Sequence, residues 1–153
     1  MVKFMSNSQN KEKILKLAAD LDKDLEKKDI NKVMTYFSED CEIEILGITM
    51  TSYSGARKWL EWFFELFETI QFEPIVIMVE DNIFFEEFLI HGVGKNQSNI
   101  NVKISEVLEY KNYKIKSLRL YLDRLLFADI ALTGFLSKRI VNLIKRRSLV
   151  GLI

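Results

Sequence analysis

Hydrophobic positions along this chain change their period twice, which divides it into helices, a run of strands and a final helix. Ile14, Leu17, Ala18, Leu21 and Leu25 recur at helical spacing and predict a first helix to about Lys28, capped by Ser8 or a neighbour. Asp29 is placed to cap a shorter helix over residues 30–37 that buries Val33, Met34 and Phe37, with Ser38, Glu39 and Asp40 ending it. Cys41 to Ile45 then alternates as a short strand, with Ile43 and Ile45 inward, and a loop follows through Gly47. Ser54 is placed to cap a third helix to about Ile70, whose Trp59, Phe63, Leu66, Phe67 and Ile70 share one face. From Gln71 the period becomes two, and strands are predicted over 72–80, 83–94, 100–110 and 113–123. The stretch 124–149 reads as a terminal helix, weakened at Gly134, with Leu132, Leu136, Ile140, Leu143 and Ile144 on one side.

Three helices, a short strand and an antiparallel meander of four make an α+β domain in which helices cover one face of a curved sheet. The last strand sends Ser117, Arg119, Tyr121 and Asp123 to one face and Leu118, Leu120 and Leu122 to the other. An ordinary half-buried strand gives its leucines to the core. A strongly curved sheet that encloses a polar-lined cavity reverses this, and its outward leucine row then predicts a sheet-to-sheet dimer.

Several stretches carry a likeness to a known family. Residues 29–44, running from Asp29 through Phe37-Ser-Glu-Asp40 to Glu44, resemble a helix that enters an acidic turn and a first strand. Ser54-Gly55-Ala56 resembles the family's helix-opening glycine, and Lys114-Ile115 to Arg119-Leu-Tyr-Leu-Asp123 its closing strand, although Tyr113 stands where the family has a turn glycine. Over residues 10–127 the chain thereby resembles the SnoaL-like, polyketide cyclase-like branch of the nuclear transport factor 2-like superfamily. The resemblance implies a cone-shaped curved antiparallel sheet with helices on its concave face, a hydrophobic cavity between them, and often a dimer through the outer sheet face. It does not imply one reaction, because the fold hosts many. Ile45 falls where ketosteroid isomerases keep a catalytic aspartate; Ile43 and Ile45 fall where limonene-epoxide hydrolases hold a water.

Charge adds an asymmetry. Twenty-two basic residues balance twenty-two acidic ones, so no overall field steers the chain to nucleic acid. All five charges after Asp129 are basic, however, which divides the chain into a domain over residues 1–128 and a basic amphipathic helix over 129–153, packed on the domain or a twin. Lid and dimer-arm roles are favoured for that helix over contact with a membrane surface. No apolar run is long enough to span a bilayer. A single cysteine, Cys41, and a start without a signal-peptide pattern point to a cytoplasmic setting.

The candidate chemistry is an acid–base pair, Asp123 and His91. In an apolar cavity a carboxyl is driven toward its neutral form and a histidine relays protons, which suits enolisation or aldol chemistry. Tyr121, Arg119, Glu87, Ile43, Ile45, Trp59 and Phe63 are the expected pocket lining, with no metal and no organic cofactor. The competing assignments are plainer: Asp123 caps the terminal helix, His91 bonds a surface neighbour, and the aromatics of the third helix are core. Three functions follow as alternatives. They are a pocket protein for a small hydrophobic ligand, a cofactor-independent isomerase or cyclase acting on a hydrophobic carbonyl compound, and a non-catalytic dimeric or membrane-surface module.

Overall fold

The computed structural model describes residues 9–125, 128 and 135–150. Helix α1 (Lys11–Glu26) starts at Asn10, whose side chain accepts from the Lys13 N–H at 2.9 Å; Ser8 lies outside the described residues. Asp29 caps α2 (Ile30–Met34) by accepting from the Lys32 N–H at 3.0 Å. Strand β1 (Phe37–Ile45) begins at once, so Ser38-Glu39-Asp40 is strand rather than a turn. After the expected loop through Gly47 comes a second strand not foreseen from the sequence, β2 (Ile48–Thr51), which pairs antiparallel with β1 and leads straight into α3 (Ser52–Glu65). Thr51, not Ser54, sits at the N-cap.

The strands β3 (Phe67–Glu80), β4 (Ile83–Gly94), β5 (Asn99–Lys111) and β6 (Lys114–Leu122) follow. They form the expected antiparallel meander, and the six strands are ordered β2-β1-β6-β5-β4-β3, with β1 and β6 parallel. Helix α3 stops at Glu65, so Phe67 and Ile70 belong to β3, where both are buried. Gly92 permits the tight approach of β3 to β4, since a Cβ there would stand 2.0 Å from the Thr69 carbonyl oxygen.

Helices α1 and α3 pack on the concave face and close one core with the sheet. Lys28, in a left-handed conformation at φ 57°, donates its Nζ to the carbonyls of Phe64 and Phe67 and so ties the end of α1 to the end of α3. Helix α4 (Phe135–Ser148) completes the described elements. The expected domain boundary at 128/129, Leu132 and Gly134 fall at or in the stretch outside the described residues.

Candidate functional site

The direction of the final strand decides where the site is. Leu118 is buried, and Leu118, Leu120 and Leu122 all line the interior cavity. The leucine face is therefore the concave one, and the outward leucine row expected of a cavity-lining Asp123 is corrected: β6 behaves as an ordinary half-buried strand. Burying three leucines is worth several kcal/mol, at roughly 1.5–3 kcal/mol each, whereas turning Arg119 and Asp123 inward would strip charges of water. Tyr121 is 52% exposed and looks outward.

Asp123 is exposed and accepts the Leu125 N–H at 2.8 Å, which is the capping role. His91 lies on the outer face, because its neighbour Ile90 is the cavity-lining residue; its Nε2 donates to Glu73 at 2.8 Å. The two residues expected to form an acid–base pair are thus on no common cavity. Glu87 is also outward, ion-paired with Lys103 at 3.4 Å. Arg119 stands opposite Glu44 and Val107 on the outer face, its buried Nε without a hydrogen-bond partner, and it meets neither Glu87 nor Glu106 in an ion pair among the described residues.

The remaining expected pocket residues are interior. Ile45, Trp59 and Phe63 line the cavity, and Ile43 is fully buried beside them in the core. Trp59 stacks on Phe63 with ring centres 5.7 Å apart and meets Phe37 edge-on at 6.4 Å. Phe72 and Phe88 close the other wall at 5.6 Å. The cavity volume is about 30 Å³, room for a water or two.

Among the described residues one charged side chain breaks this apolar lining, that of Glu106. On the concave face of β4 and β5, Phe84, Glu86, Phe88 and Ile90 lie opposite Leu108, Glu106, Ile104 and Val102, so that Glu86 and Glu106 are direct cross-strand partners. Both are buried, and Glu86 leaves its Oε1 without a hydrogen-bond partner. Burial pushes the Glu106 carboxyl well above the usual range, and the nearby Asp22 and Glu86 push it further. Burial alone lifts Glu86 to about 7, while burial with Glu86 and Glu26 lifts Asp22 of α1 to about 8. No ion pair among the described residues neutralises any of the three. The Tyr110 hydroxyl beside them is also buried and unpartnered, and burial with the nearby carboxyls raises its pKa.

These groups are held toward the protonated form, because two carboxylates facing each other in an apolar interior cannot both ionise cheaply. A neutral carboxylic acid on an apolar wall donates a hydrogen bond to a carbonyl or hydroxyl oxygen and, once ionised, accepts a proton. This cluster went unnamed in the sequence reading. Its signal was there: a glutamate at the centre of each of two apolar same-face series, 84-86-88-90 and 102-104-106-108. Among the described residues no group of His, Cys, Asp and Glu is arranged to hold a metal.

Comparison with known proteins agrees with this architecture. A neighbour in structure is a nuclear transport factor 2-like protein of unknown function from Burkholderia pseudomallei, 9% identical, with TM-score 0.72 over 79% of this chain and 98% of that one. Another is SalBIII, an epoxide hydrolase/cyclase-like enzyme of pyran ring formation in the polyether salinomycin, 13% identical, with TM-score 0.68 over 75% of this chain and 94% of that one. A putative polyketide cyclase from Sinorhizobium meliloti is 14% identical, with TM-score 0.60 over 69% of this chain and 94% of that one. At these identities the likeness is one of fold. Curated proteins give no match to the sequence. The SnoaL-like domain model matches residues 20–118, and with the helix order, the curved six-stranded sheet and the apolar interior already described, the chain belongs to the SnoaL-like domain family.

Proposed function

We propose that the protein binds a small, neutral, hydrophobic molecule carrying one carbonyl or hydroxyl oxygen, with the apolar body against Trp59, Phe63, Phe88 and Leu120 and the oxygen on Glu106. The observation that carries this reading is the carboxyl of Glu106, among the described residues the single one on an otherwise apolar cavity wall, raised in pKa by burial. The cavity of about 30 Å³ admits such a ligand only as the aromatic side chains move. A related reading keeps the chemistry and changes the residues. Acid–base isomerase or cyclase activity on a carbonyl compound, first expected of Asp123 and His91, is supported better at Glu106, whose neighbours Glu86 and Asp22 are also held toward the protonated form. SalBIII and the Sinorhizobium protein lend this second reading a precedent in fold only.

A homodimer through the outer sheet face belongs to the same proposal. Its support has moved from the leucines of β6 to Met78, Phe85 and Val107, cross-strand neighbours on the outer face, and to the exposed run Ile75 to Met78 on the edge strand β3. A cytoplasmic setting is supported by the buried, free thiol of Cys41, and no described helix is long and apolar enough to cross a membrane.

The test uses matched probes, cyclohexanone and methylenecyclohexane, titrated into isotopically labelled protein. The ketone shifts the amide resonances of residues around Trp59 and Glu106, the hydrocarbon analogue binds at least several-fold more weakly, and Glu106→Leu removes the difference. Equal binding of both probes to the unaltered protein would refute the role given to Glu106.

A further inference from the structure

Among the described residues none of helix α4 lines the cavity, whose described lining belongs to α1, α3 and the sheet. The helix makes no extended packing against another described element. Val141 is buried, but Ile140, Leu143 and Ile144 are 52%, 53% and 47% exposed. These three stand at i, i+3 and i+4 and form one apolar stripe. Arg139, Ile140, Asn142, Leu143 and Arg146 line a shallow groove along it, so that arginines flank the stripe directly. Beyond the helix Leu149 and Val150 remain exposed at 44% and 80%.

The charges of this segment have one sign. Residues 135–150 contain Lys138, Arg139, Lys145, Arg146 and Arg147 and no Asp or Glu in the sequence, a formal charge of +5, and the net charge of zero leaves −5 on the rest of the chain. An apolar stripe bordered by arginines is the arrangement of a helix lying in a lipid–water interface: the stripe enters the acyl boundary, and basic side chains reach up to phosphate. The charge division orients the molecule as well. An anionic surface attracts α4 and repels the remainder, so only one face is presented.

We propose that α4 docks the protein on an anionic lipid surface, with Ile140, Leu143 and Ile144 inserted at the interface and Arg139, Arg146 and Arg147 on lipid phosphates. The proposal is independent of what occupies the cavity. Co-sedimentation of the full chain with phosphatidylglycerol–phosphatidylcholine vesicles, beside pure phosphatidylcholine vesicles, tests it. The expected result is binding to the anionic vesicles alone, weakened by salt, and reduced roughly 30-fold in the double variant Arg146→Gln/Arg147→Gln, at about a kcal/mol per basic residue. The variant Leu143→Ser/Ile144→Ser loses it too, while circular dichroism and light scattering show it folded and with its oligomeric state unchanged. Absence of binding to anionic vesicles, or equal binding to both kinds, overturns the proposal. So does a dimer that the serine variant dissociates without any vesicle affinity in the parent, because that result assigns the stripe to a second copy.

Discussion

Glu86 and Glu106 are direct partners across β4 and β5 on the concave face, each inside a row of apolar side chains and both buried. Like charges directly opposite each other destabilise a sheet even in water, and here water is excluded as well. The pair persists because protonation removes the charge. Asp22 and Glu26 from α1 and Tyr110 from β5 add acidity to the same region and no cation, so the pair, Asp22 and the Tyr110 hydroxyl are all held toward the protonated side.

Stability therefore falls as pH rises through neutrality. Folded carboxyls with raised pKa bind more protons than the same groups unfolded, so the slope of unfolding free energy against pH is negative between the unfolded values, 4.5 for Glu86 and 3.8 for Asp22, and the folded values of about 7 and about 8. Below that window both states are protonated and the effect is absent. Thermal melts should show a lower Tm at about pH 8 than at about pH 5.5, and the gain in stability from Glu86→Gln should be larger at about pH 8 than at about pH 5.5 by on the order of 2 kcal/mol. A melt that is flat across this window, or rises, is inconsistent with protonated interior acids.

Asp123→Ala removes a capping bond on the surface. It should cost about 1 kcal/mol in chemical denaturation and leave cyclohexanone binding within experimental error. His91→Asn should be milder still, since it breaks one pair with an exposed Glu73. Loss of probe binding in either variant would restore these residues to the site.

Trp59 is buried with its Nε1 unpartnered. Replacement by Phe deletes a buried donor that already lacks a partner, so it should cost less than about 1.5 kcal/mol despite the lost volume. Leu118→Ala, in the same core, should cost about 2–5 kcal/mol. Urea titration of the two variants gives the comparison directly; the reverse order would mean that Trp59 Nε1 has a partner in solution.

Tyr36 donates its hydroxyl to the buried Asp24 at 2.8 Å, and this bond is the main reason that the Asp24 carboxyl lies below its ordinary range. Tyr36→Phe should destabilise by about 1–3 kcal/mol, with Asp24 left only its bond to Lys27 at 3.1 Å. The Asp24 contribution runs opposite to that of the interior acids: it is present above the unfolded carboxyl pKa and lost as pH falls through the lowered folded value. A variant as stable as the parent at neutral pH would show that the bond is not formed.

The layer architecture was legible from hydrophobic period, and the bounds of β4 agree with the sequence reading at both ends, because a long alternating run between turn residues has few competing solutions. The end of α3 was not. Phe67 and Ile70 sit at i and i+3, which fits one helical face, but a register break between Phe67 and Thr69 lets the same pair point inward from a strand. The phase of β6 shows a second limit. Both phases alternate equally well, and only the other strands of the sheet reveal which side is concave. The true acids were hidden by the same ambiguity, since Glu86 and Glu87 are adjacent and sequence alone does not say which one faces in.

The proposed ligand site requires Glu106 to be a neutral acid on the cavity wall at physiological pH. Carbon-13 NMR titration of side-chain carboxyls, with Glu106→Gln to assign the resonance, measures this directly. A neutral Glu106 gives a resonance that keeps its protonated shift well above the ordinary carboxylate range. A resonance that titrates in the ordinary carboxylate range, near 4.5, would contradict it and remove the hydrogen-bond donor on which the proposed ligand site depends.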